Sequence, residues 1–189
     1  AKILKPEQVK QWVQKSNVYT TLPNTIINQS VVEQTETVGN VTFSSPIVMD
    51  AAKSTLTSNF VQKSTEQIID GVFVWLRGEA PNPTFSIDVT PLKQSFADKI
   101  IASVKERYNT LPACKPMTPP TTSDPFTIDC RPAYGVDIDK AASDLRTEIL
   151  NDKQFLPEKP ITSASLAGGE NTNAVFDSKS GPKAYQSLQ

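Results

Sequence analysis

Residues 58–77 read SNFVQKSTEQIIDGVFVWLR. Val61, Thr65, Ile68, Val72, Trp75 and Leu76 recur at three- and four-residue steps, the period of one helix face. Phe60, Ile69 and Phe73 widen the stripe. This is the most apolar stretch at helical spacing, so we expect it at the centre of the core. Ser58 or Asn59 offers a cap at its start. Gly78 follows Arg77, a glycine stop after a cation that suits the helix dipole.

Downstream, Phe85, Ile87 and Val89 alternate with polar residues, which reads as a strand over 84–89. It needs a partner, and residues 41–43 or 126–129 are the candidates. Thr90-Pro91 then gives a cap followed by a first-turn proline. Leu92, Phe96, Ile100, Val104, Tyr108 and Leu111 continue at helical steps, predicting a helix from 91 to about 110. The strand between is short, so the stripes of the two helices are expected to face each other as an antiparallel pair. Asp137 or Asp139 can cap a further helix running to about 151, with Ile138, Ala141, Ala142, Leu145 and Ile149 on its apolar face.

Upstream, Ser45-Pro46 repeats the start signal and predicts a helix over 46–57. Another begins at Pro6, where Val9, Trp12 and Val13 make one apolar face. Leu22-Pro23 is expected to end or bend it. Ile26, Ile27, Val31 and Val32 form a second apolar patch, and residues 34–43 read as a loop, with a short strand at 41–43. From Ser163 onward the hydrophobicity falls and no period remains. That stretch reads as a flexible tail or linker.

Composition excludes several chemistries. The 189 residues contain no histidine, which rules out Ser-His-Asp and Cys-His catalysis and imidazole metal sites. The formal net charge is -1, from 19 basic and 20 acidic residues. No basic surplus is there to hold phosphate backbones, so nucleic acid is not an expected partner. No segment reaches the ~18–20 continuous apolar residues of a membrane span. The chain begins at Ala1 without an initiator methionine or leader, so we expect a processed protein or an excised segment.

The two cysteines, Cys114 and Cys130, flank a stretch holding Pro116, Pro119, Pro120 and Pro125. Those prolines forbid a helix. Closing a loop of roughly 15 residues stabilises a fold by ~3 kcal/mol in the chain-entropy model. With no competing thiol, we expect Cys114 and Cys130 to be paired, as in an oxidising compartment.

Other constellations have simpler readings. Asp137, Asp139, Asp144 and Glu148 open like a calcium loop, but the glycine and terminal glutamate of that loop are missing. Caps and a solvated helix face account for them. Glu66 and Asp70 sit one turn apart and read as an exposed face. Asn28-Gln29-Ser30 and Asn40-Val41-Thr42 are glycosylation sequons of the kind chance supplies in a Ser/Thr-rich chain. Trp12 and Trp75 are expected in the core. No catalytic, cofactor-binding or metal-ligating residues are assigned, and no cofactor is expected.

Five segments carry a resemblance: 74–79 (VWLRGE), 83–93 (PTFSIDVTPLK), 111–114 (LPAC), 124–126 (DPF) and 130–132 (CRP). Over roughly residues 46–162 the chain resembles a group of uncharacterised bacterial membrane proteins of Saccharibacteria and, more distantly, Chloroflexi. The resemblance implies an extracytoplasmic helical domain held between membrane helices and facing the cell surface. It carries over no catalytic residues.

We therefore expect a mainly α fold, a helical bundle with a small β element and one disulfide-closed loop. Residues 1–162 form the extracytoplasmic domain; residues 163–189 form the tail or linker towards a membrane segment. The expected role is a non-enzymatic interaction or sensor domain, anchored to a membrane outside this sequence. Its expected partner is an envelope or cell-surface protein, with self-association included. The runner-up is a carboxylate-dependent hydrolase-like or ligand-binding domain, and the third reading a structural spacer.

Overall fold

A computed structural model describes residues 4–33, 37–38, 41–42, 45–122, 124–132, 137–152, 156, 159–166 and 180–187. Among these the chain is mainly helical. The helices are α1 (Pro6–Lys15), α2 (Val18–Glu33), α3 (Pro46–Thr55), α4 (Ser58–Leu76), α5 (Thr90–Thr110), α6 (Ile138–Asn151), α7 (Ser163–Leu166) and α8 (Ser180–Ser187). Four two-residue strands complete the elements: β1 (Thr37–Val38), β2 (Val41–Thr42), β3 (Ser86–Ile87) and β4 (Ile161–Thr162). β1 pairs antiparallel with β2, and β3 pairs antiparallel with β4, Ser86 opposite Thr162 and Ile87 opposite Ile161.

The chain divides into two compact units. One comprises Ala1–Thr25, Leu56–Thr90 and Pro157–Gln189; the other comprises Ile26–Thr55 and Pro91–Leu156.

In the second unit α3, α5 and α6 surround one core. Val48, Ala51, Phe96, Ala97, Ile100, Val104, Leu145 and Ile149 interlock there with Phe126 from the cysteine loop. Burying each large apolar side chain contributes roughly 1.5–3 kcal/mol. Asp137 caps α6 as expected, its carboxylate accepting from the N–H groups of Asp139 and Lys140 at 3.0 Å. Ion pairs Arg146–Asp98 (2.7 Å) and Lys105–Asp139 (2.6 Å) tie α6 to α5 at the surface.

In the first unit α4 packs against α1, α8 and β3. Its N-cap is Thr57, one residue before the expected candidates, whose hydroxyl accepts from Phe60 N–H at 3.3 Å. Its C-terminus matches the glycine stop. Gly78 has φ 77°, its N–H reaches Trp75 O at 2.9 Å, and Glu79 N–H reaches Val74 O at 3.0 Å. That pair of bonds is a Schellman motif, which only a residue at ease with positive φ completes cheaply.

Several expectations are corrected. The α4 stripe, expected to face the α5 stripe, lies in the unit of α1 and α8, and the α5 stripe lies in the core with α3 and α6. The strand near 84–89 pairs with residues 161–162, and 41–42 belong to their own hairpin. Residues 126–128 form a turn instead, because Asp124 accepts their N–H groups through its carboxylate and carbonyl. Pro23 does not end a helix. The break falls at Asn17, which takes φ 59°, and α2 runs through Pro23. Asparagine tolerates the left-handed conformation better than most residues, so the break sits there. Within the expected tail, α8 packs on α4, with Gly181 buried against Trp75 and Tyr185 edge-on to Phe73 (centroids 6.4 Å). Residues 167–179 and 188–189 of that tail lie outside the described residues.

Candidate functional site

Beside the short β3–β4 ladder lies an open groove of about 580 Å³, lined by residues 81–86 and 162–164. The alternation read from 84–89 positions it. Ile87 and Val89 point inward and are buried, Ser86 and Asp88 are exposed, and Phe85 is half-buried. Asp88 accepts from Thr90 N–H at 2.9 Å, which fixes the end of this segment and holds its carboxyl below the usual carboxylate range. Across the ladder, Thr162 and Ser165 hold one another. Thr162 N–H donates to Ser165 Oγ at 2.8 Å, and Ser165 N–H donates to Thr162 Oγ1 at 3.4 Å. This reciprocal cap starts α7 and sets the far wall.

The lining is chemically uniform. It offers hydroxyls of Thr84, Ser86, Thr162 and Ser163, the Asn82 amide, one aromatic ring and two prolines. Such a surface donates and accepts hydrogen bonds and stacks flat groups. It holds no carboxylate, ammonium or thiol with which to move a proton.

The cysteine loop is the second feature. Cys114 and Cys130 form a disulfide, with Cα atoms 4.9 Å apart. Cys114 N–H donates to Arg131 O at 2.9 Å, and Arg131 N–H donates to Pro112 O at 2.7 Å, so the two ends of the loop run side by side. The loop is better anchored than its sparse apolar content implies. Phe126 and Ile128 are buried, and Arg107 Nη2 donates to Ile128 O at 3.1 Å. Its tip is a turn closed by Thr118 N–H on Lys115 O at 3.0 Å, with Pro116 second and Met117 third. Met117 has φ 63° and is fully exposed. A type II turn normally places glycine or asparagine there.

Several of the acidic residues have structural partners. Asp70 and Glu7 both bind Lys10, at 2.6 and 3.2 Å, and the Asp70 hydrogen bond is the main cause that raises the Lys10 pKa. Glu66 accepts from Gln62 at 2.8 Å. Asp139 pairs with Lys105, and Asp144 with Lys140 at 2.6 Å. Among the described residues no group of three or more His, Cys, Asp or Glu is placed to hold a metal ion. Of the two sequons, Asn28 falls within α2 and Asn40 lies outside the described residues.

Two residues depart from the reading of the sequence. Trp12, expected in the core, is 60% exposed, whereas Trp75 is buried. On α1 the residue that turns to α4 is Lys10, and Trp12 stands roughly 200° around the helix from it. Lys93, unremarked in the sequence, is only 5% exposed. Its ammonium donates to the carbonyls of Asp152 and, at 3.3 Å, Leu156, where the end of α6 presents negative dipole. The spacing Lys93, Ala97, Ile100, Val104 carried the signal, but a lysine does not register as part of an apolar stripe.

No family model, curated protein or solved structure matches this chain.

Proposed function

We propose that this chain is a non-enzymatic extracytoplasmic interaction or sensor domain of a membrane-anchored bacterial protein. The observation that carries the reading is the neutral groove at β3 and β4, whose hydroxyl, amide and aromatic lining suits binding and offers no acid or base. The Cys114–Cys130 disulfide is consistent with an oxidising compartment outside the cytoplasm. The partner class is an envelope or cell-surface protein, a second copy of this chain included.

The experiment is site-specific photo-crosslinking from Ser86, which is exposed and lies on the groove wall. Irradiation with the envelope fraction should give one discrete protein adduct that excess unlabelled domain competes away. Absence of any competed adduct removes this reading. Turnover in a hydrolase screen, lost on replacing a single Asp or Glu, would replace it with the carboxylate-dependent alternative.

A further inference from the structure

We propose that the outward face of α1, centred on Trp12 between Lys5 and Lys15, docks on an anionic lipid surface. Three observations meet there. Trp12 keeps 60% of its surface exposed. At the helical pitch Trp12 and Lys15 lie roughly 60° apart on one face of α1, and Lys5 is the N-cap at the start of the helix. Both lysines are exposed, and neither has an acidic partner among the described residues, whereas Lys10 on the opposite side pairs with Glu7 and Asp70.

The neighbours of Trp12 decide the kind of partner. One turn away along α1 the indole's neighbours are Gln8 and Val9, both half-buried, and Lys15, exposed, with exposed Ser16 just past the helix end. A protein interface of useful strength needs a contiguous apolar patch with a desolvated centre. This face has one isolated indole among polar and ammonium groups. A bilayer headgroup layer suits that combination: the ring lies at the edge of the acyl region, its N–H stays wet, and the lysines reach lipid phosphates. With Lys10 held by Glu7 and Asp70, Lys5 and Lys15 keep this face basic, complementary to an anionic leaflet. No helix of the described residues is long and apolar enough to cross a membrane, so this is contact along a surface. It stands independently of the groove and of any tether.

The test uses the 189-residue protein with phosphatidylglycerol vesicles and with phosphatidylcholine vesicles at low salt. The protein should co-sediment with the first and not the second, and added salt should release it. Tryptophan emission should shift to the blue on binding. That shift should vanish in Trp12→Phe, where buried Trp75 is the remaining indole. Lys5→Glu with Lys15→Glu should lower the bound fraction about tenfold or more. All three positions are solvent-exposed, and circular dichroism checks that each variant keeps its helix content. Failure to bind phosphatidylglycerol, equal binding to both lipids, or binding unchanged by charge reversal would overturn the proposal. So would dimerisation without lipid that Trp12→Ala abolishes, since this assigns the face to a protein contact.

Discussion

What holds each unit together internally differs between the two. Around α5 the contacts are side chain on side chain. Phe96, Ile100 and Val104 repeat at the helical period, and each meets apolar partners from α3, α6 or the cysteine loop. Around α4 several decisive contacts depend on side chains that are missing. A Cβ at Gly71 would lie 2.2 Å from Thr84 O, and one at Gly181 would lie 2.7 Å from the Trp75 ring. Tyr185 OH reaches Leu4 O at 3.4 Å, joining residues from opposite ends of the chain. The first kind of core is written as a period. The second is written as single glycines whose neighbours lie far away in sequence.

The most severe way to break the periodic core is Phe96→Ala. Phe96 is 2% exposed, and its truncation should cost ~3–5 kcal/mol, read as a lower urea midpoint. Hydrogen exchange should accelerate throughout α3, α5 and α6. A loss below ~0.5 kcal/mol would mean the interlocked core is not the source of that unit's stability.

This difference governs what was legible in advance. The helices over 46–57, 58–77, 91–110 and 137–151 could be read because period and caps agree. Pairing could not. Ser86 and Thr162 lie 76 positions apart by their numbers, and two-residue strands carry almost no pattern of their own. Val9 and Val13 flank Trp12 and make the sequence read it as buried, whereas the ion pair to α4 is made by Lys10 on the other side of α1. In the groove, Phe85 and Ser86 were legible as strand residues, but the opposite wall comes from residues 162–164, where the expected domain meets the expected tail. The cysteines were the clearest site residues, since their pairing needed only two thiols and a loop.

The cysteine loop tests whether a covalent link adds to an apolar anchor. Replacing Cys114 and Cys130 together by alanine should cost up to ~3 kcal/mol, the loop-closure value. Phe126 and Ile128 remain buried without the bond, so chain segments 124–132 should stay protected from exchange while the tip at Met117 gains cleavage by protease. Full unfolding of α5 on reduction would show that the apolar anchor is too weak to stand alone.

Gly71→Ala probes the other kind of contact. The added methyl meets the backbone of Thr84, which has no rotamer through which to yield. We expect a loss of ~1–3 kcal/mol despite the better helix propensity of alanine, which alone would give a gain of ~1 kcal/mol. Any net stabilisation would show that α4 and the segment before β3 do not approach this closely. Thermal melts of the single variant are enough to decide the sign.

The smallest expected effect compares one carboxylate from each unit. Asp88 accepts from Thr90 N–H at 2.9 Å, and Asp129 accepts from Thr121 N–H at 3.1 Å. In both, the backbone hydrogen bond is the first cause of a pKa held below the ordinary carboxylate value. A carboxyl with a depressed folded pKa binds its proton less readily folded than unfolded. Its stabilisation is therefore complete above the unfolded value, roughly 4, and fades as pH falls through the folded value. Both groups are exposed, so solvent screening keeps the effect small. The urea midpoint should hold steady from neutral pH down to about 5 and decline below about 4. In Asp88→Asn with Asp129→Asn that decline should be shallower and neutral-pH stability slightly lower. Single variants then compare the units: Asp88 bridges to the start of α5 over two residues, whereas Asp129 spans eight residues of the cysteine loop. Breaking the Asp129 contact should raise exchange at Thr121 before it moves the global midpoint. An unchanged acid limb in the double variant would show that other carboxylates set the pH dependence.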